Sequence, residues 1–193
     1  MKKLMVLVVA LQVALPAFAG EWRYTESKDA MRGTVSTTAF LPSSNKVDFK
    51  FPYQGGAELI VSIARKNSSD GRSTCGYNQC SGVILSITKG QFACMSMHEN
   101  DTGQTVCYVS AKFDDGAIEK FVVKESSATS WWLRHDSNIR FLERLQSAKT
   151  LTIEANFHDE GPRQFQYDVN GLKWATDRES GVLPGYGQPE SVW

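Results

Sequence analysis

"TVCYVSAKFDDGAIEKFVV", residues 105–123, holds two strand-like runs joined through an aspartate–glycine pair. In the first run, apolar side chains fall on both faces, the pattern of a strand buried centrally in a sheet. Asp115-Gly116, between "YVSAKF" and "AIEKFVV", signals a hairpin. Glycine readily takes the positive φ such a turn needs, and aspartate before it supports the turn by local hydrogen bonds. The stretch therefore reads as two antiparallel strands.

The same period of two recurs along the chain. "KVDFKF" sets Val47, Phe49 and Phe51 against Lys46, Asp48 and Lys50, and "AELIVSIARK" repeats the device with Leu59, Val61 and Ile63. "VILSIT" is short, apolar and β-branched. "LTIEANF" turns Leu151, Ile153, Ala155 and Phe157 inward, and "QFQYDV" does so with Phe165, Tyr167 and Val169. Turn-rich segments ("PSSN", "YQGG", "KNSSDGR", "TKG", "HDEGP") separate the runs. Turns recurring about every 8 to 12 residues point to an all-β domain, here expected to be an antiparallel β-sandwich. One segment departs from the alternation. In "HDSNIRFLERLQSAK", Ile139, Leu142 and Leu145 recur at helical spacing, Asp136 or Ser137 can cap the first turn, and Lys149 closes the other end. The spacing predicts one amphipathic helix over about 137–148, lying across an open end of the sheet structure.

The two ends of the chain read differently. "MKKLMVLVVALQVALPAFA" has a positive start, an apolar centre, a proline break and small residues at Ala17 and Ala19. That is the layout of a secretory signal, with residues 1–19 removed and Gly20 the new terminus. Its apolar stretch, about a dozen residues, is short of the roughly 20 a membrane span needs, and no later segment is long and apolar enough to span. The expected location is the periplasm, in soluble form. Residues 20–174 then form one domain. Residues 175–193, with glycine, proline and charge but no periodicity, form an extended tail.

Composition narrows the function classes. Losing Lys2 and Lys3 with the leader leaves 19 basic against 21 acidic residues, near neutrality. No basic stripe marks a nucleic-acid partner. The four cysteines, Cys75, Cys80, Cys94 and Cys107, are an even set in an exported chain and read as two disulfides. Local pairing is expected. Cys94 and Cys107 lie at facing ends of two strand-like runs, and Cys75 and Cys80 flank the tight loop "GYNQ". A zinc site would want a second close pair, and a thioredoxin-type centre would want C-x-x-C at a helix start. Neither pattern is present, so no metal and no cofactor are expected.

No catalytic constellation emerges. His98, His135 and His158 belong to no H-E-x-x-H motif, and the chain has no G-x-S-x-G elbow. Asp114 and Asp115 are neighbours suited to a turn rather than to sharing a substrate. The aromatics carry the stronger signal. Trp131 and Trp132 are adjacent, so on a strand one points inward and the other outward, and exposed aromatics are enriched at contact surfaces. Tyr77, Trp131 and Trp132 are the candidate partner-binding residues. Trp22 and Trp174 read as core anchors.

"KGQFAC", Cys107, "KFDDG", "RFLERLQSAKTLTIEANF" and "FQYDVNGLKW" together resemble small exported proteins of Gram-negative bacteria without assigned function. The same order is similar to the VasI/TagO-type accessory proteins of type VI secretion, over roughly Lys89 to Trp174. The resemblance implies a periplasmic, non-catalytic β-rich protein, and Cys94 and Cys107 match the cysteine pair those proteins place before the FDDG turn. This chain departs from them in ending "PESVW" without a cysteine and in adding Cys75 and Cys80. The expected function is that of a non-enzymatic interaction protein, an accessory, inhibitor or immunity-type factor that binds another envelope protein. The alternatives are an envelope hydrolase, or a carbohydrate- or lipid-binding module, whose site forms only in three dimensions.

Overall fold

The computed structural model describes residues 21–68, 81–98 and 103–174. The leader, the tail from residue 175, Tyr77, and the pair Cys75 and Cys80 lie outside the described residues. The elements in chain order are β1 (Arg23–Asp29), β2 (Thr34–Pro42), β3 (Leu59–Ser68), β4 (Ser81–Ile87), β5 (Met95–His98), β6 (Thr105–Phe113), β7 (Ile118–Ser127), β8 (Ser130–Leu133), α1 (His135–Ser147), β9 (Thr150–Phe157) and β10 (Gly161–Asp168). The fold is mainly β with one helix among the described residues.

All ten strands belong to one sheet, ordered β1-β2-β3-β4-β8-β7-β6-β9-β10, with β5 paired to β6. Each pairing is antiparallel. Where two separately bonded layers are expected, the hydrogen bonds run through a single sheet that curls on itself. Ser44 donates its N–H to the Gln166 carbonyl at 2.7 Å, and Gln166 donates to the Asn45 side chain, also at 2.7 Å. These bonds join the segment after β2 to β10, at the far end of the strand order. From inside, the Tyr167 hydroxyl donates to the Leu59 carbonyl at 2.9 Å. The spacing of turns is common to sandwiches and curled sheets, so it could not separate them.

The core follows the alternation closely. Leu59, Val61 and Ile63 of β3 and Val83, Leu85 and Ile87 of β4 point inward, as do Leu151, Ile153, Ala155 and Phe157 of β9. Phe165, Tyr167, Val169 and Trp22 are also buried, and Trp174 packs half-buried against the same core. "KVDFKF" is the exception. Val47 makes only an isolated bridge to Ala57, and the chain then loops through a cis Phe51–Pro52 bond. Phe49 is buried there, while Phe51 is 83% exposed. A three-residue alternation is too little to enforce a strand when no neighbouring strand is there to pair with it.

The β6–β7 hairpin forms at "FDDG", with Lys112 paired to Ile118. The positive φ is at Asp114 (48°), not at Gly116. Gly116 serves by its small size instead: a Cβ there would lie 2.9 Å from the Phe113 carbonyl oxygen, which also accepts the Gly116 N–H.

Strand β8 is four residues long and pairs with only Ile84–Ser86 of β4. The first half of β4 and the facing part of β7 would otherwise leave backbone groups unpaired inside the fold, which is costly. Helix α1 fills the gap. Val83 donates its N–H to Asn138 Oδ1 and Asn138 Nδ2 donates to the Ser81 carbonyl, both at 2.7 Å. Across the gap, the Val122 N–H donates to Ser137 Oγ at 2.8 Å, and Arg140 reaches the Lys120 carbonyl at 2.7 Å. Ser137 therefore bonds a strand rather than capping the helix, and no side chain caps at Arg134. The buried stripe is Ser137, Asn138, Phe141 and Leu145, whereas Ile139 is exposed and Leu142 half-buried. Phe141 meets Phe113 and Phe121 edge-on, with centroids 5.2 Å from each.

Candidate functional site

The tryptophan pair on β8 divides as the strand geometry requires. Trp131 is 2% exposed and stacks on Phe92 at 4.5 Å, continuing into Phe157 and Phe49. It is a core residue and is withdrawn as a contact residue. Trp132 is 41% exposed on the outer face. Among the three candidates it alone is both described and open to a partner.

Its setting is built by the registers on either side. Trp132 pairs with Ile84 of β4 and with Lys124 of β7. The ring also reaches over Gly82: a Cβ built on that glycine would lie 3.1 Å from Trp132 Cζ3 and 3.4 Å from Cε3. The indole thus lies down along the sheet rather than standing off it, and Gly82 makes the room. Half-buried Ile84, Ser62 and Phe40 continue the same cross-strand row toward β2. On the other side stand Lys124, Val122 and Lys120, the last with its ammonium 4.4 Å from the centre of the Tyr108 ring.

Sequence reasoning missed Gly82, Ile84 and the lysines as part of this surface. The signal for the lysines was present: in "IEKFVVKE", Phe121 and Val123 inward must place Lys120, Val122 and Lys124 outward. The partners on β4 needed the register, which no local pattern supplies.

The remaining candidates lie away from this surface. Cys94 and Cys107 form a disulfide, S–S 2.03 Å, tying the start of β5 to β6. His135 begins α1 and His158 sits in the β9–β10 turn, both exposed. Among the described residues neither bonds a carboxylate, and no cluster of histidine, cysteine and carboxylate is arranged to hold a metal. The Asp114 carboxyl is held below its ordinary range, first by the Thr150 N–H and then by that of Lys149. Burial pushes the Tyr167 hydroxyl well above its own. Both groups serve the fold. Among the described residues no helix is long and apolar enough to cross a membrane. What the arrangement offers chemically is a flat aromatic platform with flanking cations, suited to binding. No protein family, curated protein or solved structure matches the chain.

Proposed function

We propose that the protein is an exported, non-enzymatic binding protein of the cell envelope, acting through the outer sheet face around Trp132. The observation that carries this reading is the contrast between the neighbours: Trp131 is sealed in the core while Trp132 lies open on a prepared seat. Large rigid aromatics give much contact area for little lost conformational freedom, and interface hot spots favour them. The leader is cleaved after Ala19 and the mature chain works in the periplasm, as in the exported proteins it resembles. Opposed walls of the curled sheet pack as the layers of a sandwich, and Cys75–Cys80 is a second disulfide beside Cys94–Cys107. The partner is an envelope component; another envelope protein, in type VI secretion or toxin immunity, is the one the sequence resemblance suggests. A lipid partner within the same class is supported by one observation, the cationic character of the face around Trp132.

The test is affinity capture from envelope extract with wild type, Trp132→Ala and a polar-face control, Gln164→Ala. A component held by wild type and the control but lost with Trp132→Ala supports the reading. Equal capture by all three would move the contact surface elsewhere.

A further inference from the structure

The outward side chains near Trp132 share a charge as well as an apolar centre. Lys120 and Lys124 stand on β7, Lys112 on β6 beside them, and Arg134 follows β8, all exposed. Among the described residues no aspartate or glutamate takes an outward position on β2, β3, β4, β6 or β8, nor on β7 as far as Lys124. Two nearby carboxylates, Glu119 and Glu125, are turned away. Glu119 points to the helix, 3.0 Å from Arg144 and 3.7 Å from Arg140. Glu125 lies opposite Trp131, on the other side of its strand. Glu154 stands outward on β9, opposite Ser110 in the row that continues to Lys120, and there accepts a hydrogen bond from Gln164 at 2.8 Å. In a chain of 21 basic and 21 acidic residues, the part of the outer face from β2 to β6 is thus locally cationic, with Glu154 at its border.

We propose that this face docks on an anionic phospholipid surface, with Trp132 seated among the headgroups and Lys124 and Lys120 against the lipid phosphates. The assignment rests on the reading of Trp132 as the contact residue and names the partner class. Four features favour lipid over protein. Lysine is depleted at the centres of protein interfaces, yet here Lys124 stands directly beside Trp132 across the β7–β8 pair. Tryptophan is enriched at the headgroup level of membranes, where its apolar body and polar N–H are both satisfied. Lysine stems can lie along apolar neighbours, Trp132 and Val122 for Lys124, while their ammonium groups reach the phosphates. A ring lying flat over Gly82 also leaves no protruding knob that would require a matching pocket.

The test is flotation of the full mature chain with vesicles of phosphatidylglycerol in phosphatidylcholine, against vesicles of phosphatidylcholine alone. The expected result is binding to the anionic vesicles only, weakened by salt. Lys124→Ala should lose about fivefold in affinity, the effect of one near-surface cation, and Trp132→Ala should lose more. Lys28→Ala, on the remote β1 strand, should change nothing. Unaltered thermal unfolding of the Lys124→Ala variant separates lost docking from lost folding. Absence of binding to anionic vesicles overturns the lipid assignment, as does an equal loss with Lys28→Ala. If vesicle binding is absent but capture of an envelope protein depends on Trp132, the lipid assignment falls and the contact surface stands. If both are absent, both fall.

Discussion

A single oxygen of the Asp114 carboxylate accepts the Thr150 backbone N–H at 2.8 Å and the Thr150 hydroxyl at 3.3 Å. The Lys149 N–H joins it at 2.9 Å, and Thr150 returns a bond by accepting the Asp114 N–H at 3.0 Å. The "FDDG" turn is therefore a clamp. It fixes the junction between α1 and β9 to the tip of the β6–β7 hairpin, which explains why an aspartate stands there in a left-handed conformation.

Because hydrogen bonding to the charged form lowers the Asp114 pKa, its contribution is present above the unfolded value, about 3.8, and is lost as pH falls through the lower folded value. Wild type should therefore exceed Asp114→Asn in stability at neutral pH, and the gap should close on acidification below about 3.8. Urea unfolding of both proteins across that range checks the sign. A gap that widened in acid would contradict the clamp.

Trp131 and Trp132 should separate cleanly in stability. Trp131→Ala removes a ring stacked on Phe92 and is expected to cost about 3 to 5 kcal/mol. Trp132→Ala removes a ring open to solvent and should cost about 1 kcal/mol or less. Chemical denaturation of the two variants measures both.

Asn138 is 1% exposed and stands in for the missing end of β8. Asn138→Ala strands the Val83 N–H and the Ser81 carbonyl, at about 1 to 3 kcal/mol for each group left unsatisfied. Asn138→Asp should be as bad or worse at neutral pH, because the carboxylate can still accept from Val83 but must face the Ser81 carbonyl oxygen. Hydrogen exchange at Val83 is the local readout, and protection should collapse in both variants.

The Cys94–Cys107 bridge closes a loop of sequence separation 13, for which chain entropy alone gives about 3 kcal/mol. Cys94→Ser with Cys107→Ser should lower stability by that order and loosen β5 first, since among the described residues β5 pairs only with β6. Peptide mapping without reductant should also recover Cys75 linked to Cys80, with no bridge between the two pairs.

Much of the strand content was legible because half-buried strands carry their own signature. β3, β9 and β10 bury the residues their alternation names. What lay beyond the sequence is whatever depends on distant partners. Asn138 reads as a polar residue on a helix until Val83, 55 positions away, is placed beside it. The helix face was misjudged for the same reason. Ile139 and Leu142 look like core by hydrophobicity, but the neighbouring strands require hydrogen bonds from Ser137 and Asn138 on the buried side. Closure of the sheet rests on Ser44 and Gln166, 122 positions apart. Trp132 could be named as one of a pair, but its selection came from the register of β8, and the cations beside it from the pairing with β7.

The central claim is that the molecule acts by contact through Trp132. A photo-crosslinking amino acid placed at position 132 in the cell, with the same group at position 164 on the polar wall as control, tests it most directly. We expect a strong adduct to an envelope lipid or protein from position 132 and none from position 164. Equal labelling from both positions, or labelling from 164 alone, would contradict the claim.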